Sequence, residues 1–120
     1  MGGEDQRRFI RIPARLMTFI RFPKTGKVWR ALTVDVSAGG IRLVTDELLE
    51  PGTVLELELK LPDREAPVAC TAEVVRSVFV EGGPNTSAHV TVESALKFTQ
   101  IDPKDQSLLL LYTRFNAPPM

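Results

Sequence analysis

A single cysteine, Cys70, in the 120-residue chain excludes an internal disulfide. The single histidine, His89, has no cysteine or second histidine near it, so it reads as a surface residue and no metal site is expected. No apolar run approaches the roughly 18 residues that a membrane span requires. The charged leading segment, Met1 to Phe9, has no apolar stretch long enough for a secretory signal. Together these absences favour the cytoplasm. Aromatic residues make up 7% of the chain, too few to interleave with basic residues as a polynucleotide-stacking surface does. A nucleic-acid partner is therefore not expected. No Walker loop, paired-carboxylate site or serine–histidine arrangement is present, so no enzyme activity and no cofactor are expected.

The net charge of zero conceals a division. Residues 1–30 carry eight basic side chains against Glu4 and Asp5, a balance of +6, and the remaining ninety residues balance at −6. A basic head on an acidic body suits an anionic partner near the head, although ordinary surface charge gives the same count.

The middle of the chain alternates with period two. Leu55, Leu57, Leu59 and Leu61 share one face while Glu56, Glu58 and Lys60 share the other, which predicts a strand with one side in the core. Ala88, Val90, Val92, Ser94, Leu96 and Phe98 alternate in the same way. Further strands are expected over Ala14 to Phe22, Val28 to Val36, Ile41 to Thr45 and Val68 to Val80, with a five-residue hairpin loop at Pro23–Lys27. Six short strands in so small a domain predict an all-β fold, a six-stranded antiparallel barrel whose closure removes exposed edges. At the end the period changes. Asp102 before Pro103 caps a helix over Pro103 to Phe115, with Leu108, Leu111, Tyr112 and Phe115 as an apolar stripe that Leu109 and Leu110 broaden. That stripe is expected to cover the barrel, a partner or a second copy in a homodimer. Cys70, Trp29 and Tyr112 are expected to pack. Residues 1–6 and 116–120 are expected to be tails around one domain spanning 7–115.

Two segments stand outside the alternation. Arg7, Arg8 and Arg11 precede the first strand, and their planar guanidinium forks match both phosphate oxygens and the O6/N7 edge of guanine. Asp35, Ser37, Gly39 and Gly40 form a compact polar corner. The carboxylate of Asp35 can accept from the N1–H and exocyclic amine of guanine, Ser37 adds a small donor and acceptor, and the glycines allow close backbone approach. The same six residues also fit an ordinary turn.

Taken together, Arg7-x-x-x-Arg11 followed by Asp35-x-Ser37-x-x-Gly40 resembles the PilZ family of cyclic di-GMP receptors. Arg-Arg-Phe before the first strand and Gly-Gly-Ile-Arg-Leu after the second motif add to the likeness, which covers residues 7 to 115. The resemblance implies a barrel with a C-terminal helix that binds cyclic di-GMP at one end. It implies that Arg7, Arg8 and Arg11 contact phosphate and guanine, while Asp35, Ser37, Gly39 and Gly40 hold a base. Arg76 is expected to approach the same site across the barrel surface. The implied function is that of a receptor whose arginine arm orders on the ligand and passes the signal to a partner protein. The alternative is an adaptor of the same fold that binds no nucleotide.

Overall fold

The computed structural model describes residues 9–81 and 90–117. Seven strands precede one helix: β1 (Ile12–Pro13), β2 (Met17–Arg21), β3 (Val28–Val36), β4 (Gly40–Thr45), β5 (Val54–Leu59), β6 (Val68–Glu81), β7 (Val90–Ile101) and α1 (Pro103–Phe115). All pairings are antiparallel. The order β3–β2–β5–β6–β7–β4 closes where β4 pairs back onto β3, giving a six-stranded barrel with β1 as a short addition to β3. The barrel expected from the alternation is present, with that one extra strand.

The expected strand over Ala14 to Phe22 is shorter, forming β2 over Met17–Arg21, and β1 is an additional strand just before the expected bounds. β1 and β2 lie on the same side of β3, separated by Ala14–Leu16. Thr33 bridges the gap: its Oγ1 accepts from the Leu16 amide at 2.8 Å and donates to the Ala14 carbonyl at 2.5 Å. A side-chain hydroxyl thus satisfies the backbone groups that an irregular stretch would leave orphaned.

The core follows the period-two pattern. Leu55, Leu57, Leu59 and Leu61 are buried on one side of the barrel, and Val92, Ser94 and Leu96 on another. Ser94 is tolerated inside because its hydroxyl pairs with that of Ser77 at 2.9 Å. In the Pro23–Lys27 loop, Gly26 takes φ +76° and its amide donates to the Phe22 carbonyl at 2.8 Å. Phe22 and Trp29 pack edge to face with ring centroids 4.6 Å apart.

The helix begins as its sequence predicts, with Asp102 accepting from the Lys104 amide at 2.8 Å and Pro103 in the first turn. Its inward face differs from the expected stripe. Leu109 and Thr113 are buried and Leu108 and Tyr112 partly so, whereas Leu111 and Phe115 are exposed, Phe115 to 81%. Thr113 can face inward because its hydroxyl bonds back to the carbonyls of Leu109 and Leu110. A residue that reads as polar therefore packs as apolar. The helix is capped by Asn116, whose Nδ2 donates to the Tyr112 carbonyl at 2.8 Å. Among the described residues, no helix is long and apolar enough to cross a membrane. The expected tail at residues 1–6, the strand start at Ala88, His89 and residues 118–120 lie outside the described residues.

Cys70 sits on β6 opposite Leu57 of β5 and Ile101 of β7. Desolvation, aided by the charge of Asp105, pushes its thiol up to about 12. An unfolded thiol titrates near 8.5. Between about pH 9 and pH 12 the folded chain therefore holds a proton that the unfolded chain releases, so stability falls as pH rises through that window. The expected slope approaches one proton, about 1.4 kcal/mol per pH unit. Tyr112, also raised by desolvation and then by Asp63, acts in the same direction. Denaturant midpoints measured at pH 8 and pH 10.5 should separate more in the native chain than in Cys70→Ala. An equal separation would remove Cys70 as the cause.

Candidate functional site

The corner between β3 and β4 begins with a change of phase. On β3, Ala31 and Thr33 face the core, and strict alternation would carry Asp35 inward after them. The pairing with β4 shifts between Thr33 and Asp35, so that Val34 is an extra residue and Asp35 lies opposite Arg42 while Val36 lies opposite Ile41. This bulge re-aims Asp35 to the outer surface and returns Val36 to the core. A second shift on β6, between Val74 and Arg76, leaves Val75 unpaired and places Arg76 opposite Ala95 of β7. Ala95 is in turn opposite Arg42. Asp35, Arg42, Ala95 and Arg76 thus form one row across four adjacent strands, framed by a bulge on each side. At the usual interstrand spacing, the row spans roughly 14 Å.

The carboxylate of Asp35 is the centre of this row. Its side chain is only 7% exposed and carries a guanidinium on each oxygen. Arg11 donates through Nη1 to Oδ1. Arg42 approaches Oδ2 with Nε and Nη2, both at 2.5 Å, and its Nη1 donates to Glu93 Oε1 at 2.6 Å. Bonding to Asp35 raises the Arg42 pKa above its ordinary value, against a lowering by desolvation.

Ser37 is occupied within the turn. Its Oγ accepts from the amides of Gly39 and Gly40 and donates to the Gly40 carbonyl, each at 3.1 Å. The glycines are required by close approach and not by a left-handed backbone. A Cβ at Gly39 would meet the Phe9 ring at 2.8 Å, and one at Gly40 would meet the Leu96 carbonyl oxygen at 2.3 Å. Phe9 thereby seats the leading segment against the corner, and Gln106 of α1 ties to it by donating to the Ala38 carbonyl at 3.1 Å. Beside the corner lies a cleft of about 130 Å³ lined by Arg11, Gly39, Gly40, Val75, Ala95 and Lys97, among others. Its lining joins small residues to the cations Arg11 and Lys97, a combination suited to a flat anionic ligand.

The fold brings Arg11, Asp35, Ser37, Gly39 and Gly40 together, and sets Arg76 two strands beyond Arg42 in the same row. Arg7 and Arg8 lie outside the described residues. Sequence reasoning missed Arg42, Glu93, Ala95 and Lys97 as site residues. Arg42 had a signal, because the short turn at Ser37–Gly39 after Val36 sets it opposite Asp35. The others come from β7, and no local pattern announces which strand neighbours β4. Among the described residues, no group of three potential ligands could hold a metal ion.

The sequence profile of the PilZ domain matches residues 5–115. The chain belongs to the PilZ domain family. Solved structures agree with this PilZ domain in fold. The Bacillus subtilis inhibitor of motility, MotI/DgrA, superposes with a TM-score of 0.72 at 28% identity, over 94% of this chain and 53% of that one. MrkH, described as a c-di-GMP-dependent transcription regulatory factor, gives 0.71 at 20% identity, over 92% and 52%. The PilZ domain of YcgR from Escherichia coli, solved with c-di-GMP, gives 0.70 at 18% identity, over 93% and 94%. The chain therefore spans about half the length of MotI/DgrA and MrkH. No curated protein matches it significantly.

Proposed function

We propose that this PilZ domain is a receptor for cyclic di-GMP and acts by binding, not by catalysis. The observation that carries the reading is Asp35, buried at a glycine corner and already holding cationic hydrogen-bond donors. A guanine presents N1–H and an exocyclic amine side by side, donors of the kind that Asp35 already accepts. The ligand's two phosphates would lie along the cleft cations Arg11 and Lys97 and towards Arg76 in the neighbouring row, with Arg7 and Arg8 adding donors from the leading segment. The structures of YcgR and MrkH with c-di-GMP, which share this fold, support the reading. Engagement of the leading segment would convert ligand presence into a new surface for a partner protein.

One observation favours the second reading, an adaptor that binds no nucleotide: both oxygens of Asp35 are satisfied from within the chain. Isothermal titration with cyclic di-GMP separates the two. The receptor reading expects saturable heat, weakened about tenfold to a hundredfold in Arg11→Ala by loss of a charge-assisted hydrogen bond. An absence of heat with the native chain would leave the adaptor. Hydrogen exchange of residues 1–12 should slow at saturation; unchanged exchange would remove the coupling to the arm.

A further inference from the structure

We infer that Arg42, braced by Glu93, is a positioning residue that keeps Oδ2 of Asp35 engaged throughout, so that guanine exchanges with Arg11 alone. The inference rests on the receptor reading and concerns how that site recognises its base. A carboxylate this far removed from water cannot stand unpaired, because a buried uncompensated charge is strongly destabilising. Guanine needs acceptors that two arginines now occupy, so one guanidinium must leave while the other stays.

The two arginines are not equivalent. Arg11 makes one contact to Asp35, through Nη1, and its side chain is 46% exposed. Arg42 places two nitrogens on Oδ2 and a third on Glu93, so its planar fork is fixed by two carboxylates at once. Displacing Arg11 breaks one charge-assisted bond at a wet edge. Displacing Arg42 breaks two charge-assisted bonds and a further ion-pair contact to Oδ2, and strands Glu93 as well. The exchange therefore runs at Oδ1, on the side where Arg11 lines the cleft. Arg11, once released, is free to take a phosphate of the incoming ligand, so its charge is paired before and after.

Glu93 has its own part. Without it, Nη1 of Arg42 would be free to turn towards a ligand phosphate and draw the guanidinium off Asp35. The aim of the carboxylate would then be lost. With Glu93 in place, the four side chains Arg11, Arg42, Asp35 and Glu93 form a neutral set in which a single member moves. Arg42 and Glu93 are thus determinants of base selectivity more than of overall attraction to an anion.

Two measurements test this. In a titration of the native chain with cyclic di-GMP, followed by arginine side-chain ¹H–¹⁵N spectra, the Arg42 Nε–H resonance should persist with slow exchange while that of Arg11 moves. Loss of the Arg42 resonance at saturation, with Arg11 unmoved, would overturn the inference. The second measurement is the ratio of Kd for the hypoxanthine analogue, which lacks the exocyclic amine, to Kd for cyclic di-GMP. The native chain should prefer guanine by about tenfold or more. Arg42→Ala should bring the ratio within about threefold, and Glu93→Ala should bring it part of the way. A folded Arg42→Ala that keeps the native ratio sinks the idea while leaving the receptor reading intact. A native chain that binds neither dinucleotide removes both. If Arg42→Ala does not fold, the spectra of the native chain decide alone.

Discussion

Asp35→Ala is expected to weaken cyclic di-GMP binding by at least about a hundredfold, since two charge-assisted hydrogen bonds of roughly 1.5–3 kcal/mol each would be lost. The reasoning starts from donors. Guanine offers N1–H and an amine side by side, and the carboxylate oxygen that Arg11 vacates has two lone pairs with which to accept them. Nothing else at the corner can substitute, because Ser37 spends its hydroxyl on Gly39 and Gly40. The barrel itself should survive the change. The two guanidiniums left behind are each more than a third exposed, so water can replace their lost partner. Asp35→Asn sharpens the comparison, because it keeps the size but turns one acceptor into a donor that opposes both arginine and guanine. Titration calorimetry with a thermal melt of each variant measures both effects. Binding by Asp35→Ala within threefold of native would mean that the base is read elsewhere.

The second large effect is on stability, at Gly40. A Cβ there would sit 2.3 Å from the Leu96 carbonyl oxygen and 3.2 Å from the Lys97 Cα. Both are backbone atoms of β7, directly across the Gly40–Lys97 pairing, so no rotamer change relieves the clash. β4 must move off β7 at the point where the site is built. The expected cost of Gly40→Ala is about 1–3 kcal/mol, as for overpacking in a core. For a domain of this size that lowers Tm by roughly 5–15 °C. Gly39→Ala provides the contrast. Its Cβ would meet the ring of Phe9, a side chain that can turn away. A small loss of stability is expected there, with the greater loss in ligand binding, because Phe9 seats the arginine segment. Equal melting temperatures for Gly40→Ala and the native chain would show that the strands accommodate the methyl group.

Much of the architecture was legible along the chain. Leu55, Leu57, Leu59 and Leu61 lie inside because alternating apolar residues have one face to bury, and the bounds of β3 and α1 follow from turn and cap residues beside them. The helix was legible in extent and not in roll. Thr113 counts as polar in any periodicity, yet the helix carbonyls satisfy its hydroxyl and let it face the core. The break between β1 and β2 was hidden for a related reason. Its backbone groups are met by Thr33, seventeen residues beyond Leu16, and nothing near Ala14 announces that.

The site divides along the same line. Local order in the sequence determined the all-β strand pattern, the helix that follows it, and the arginine and aspartate motifs that mark the family. Those properties depend on neighbours a few residues apart, where period and turn chemistry act. Tertiary structure alone decided where Asp35 points. Straight alternation from Thr33 would have buried it in the core, and the bulge at Val34 turns it outward to meet Arg42. Tertiary structure also supplied Glu93, Ala95 and Lys97, which stand more than fifty residues from Arg42 along the chain and reach it through the pairing of β4 with β7. Strand pairing across such distances is selected by closure of the whole barrel, a cooperative outcome that no short window of residues encodes.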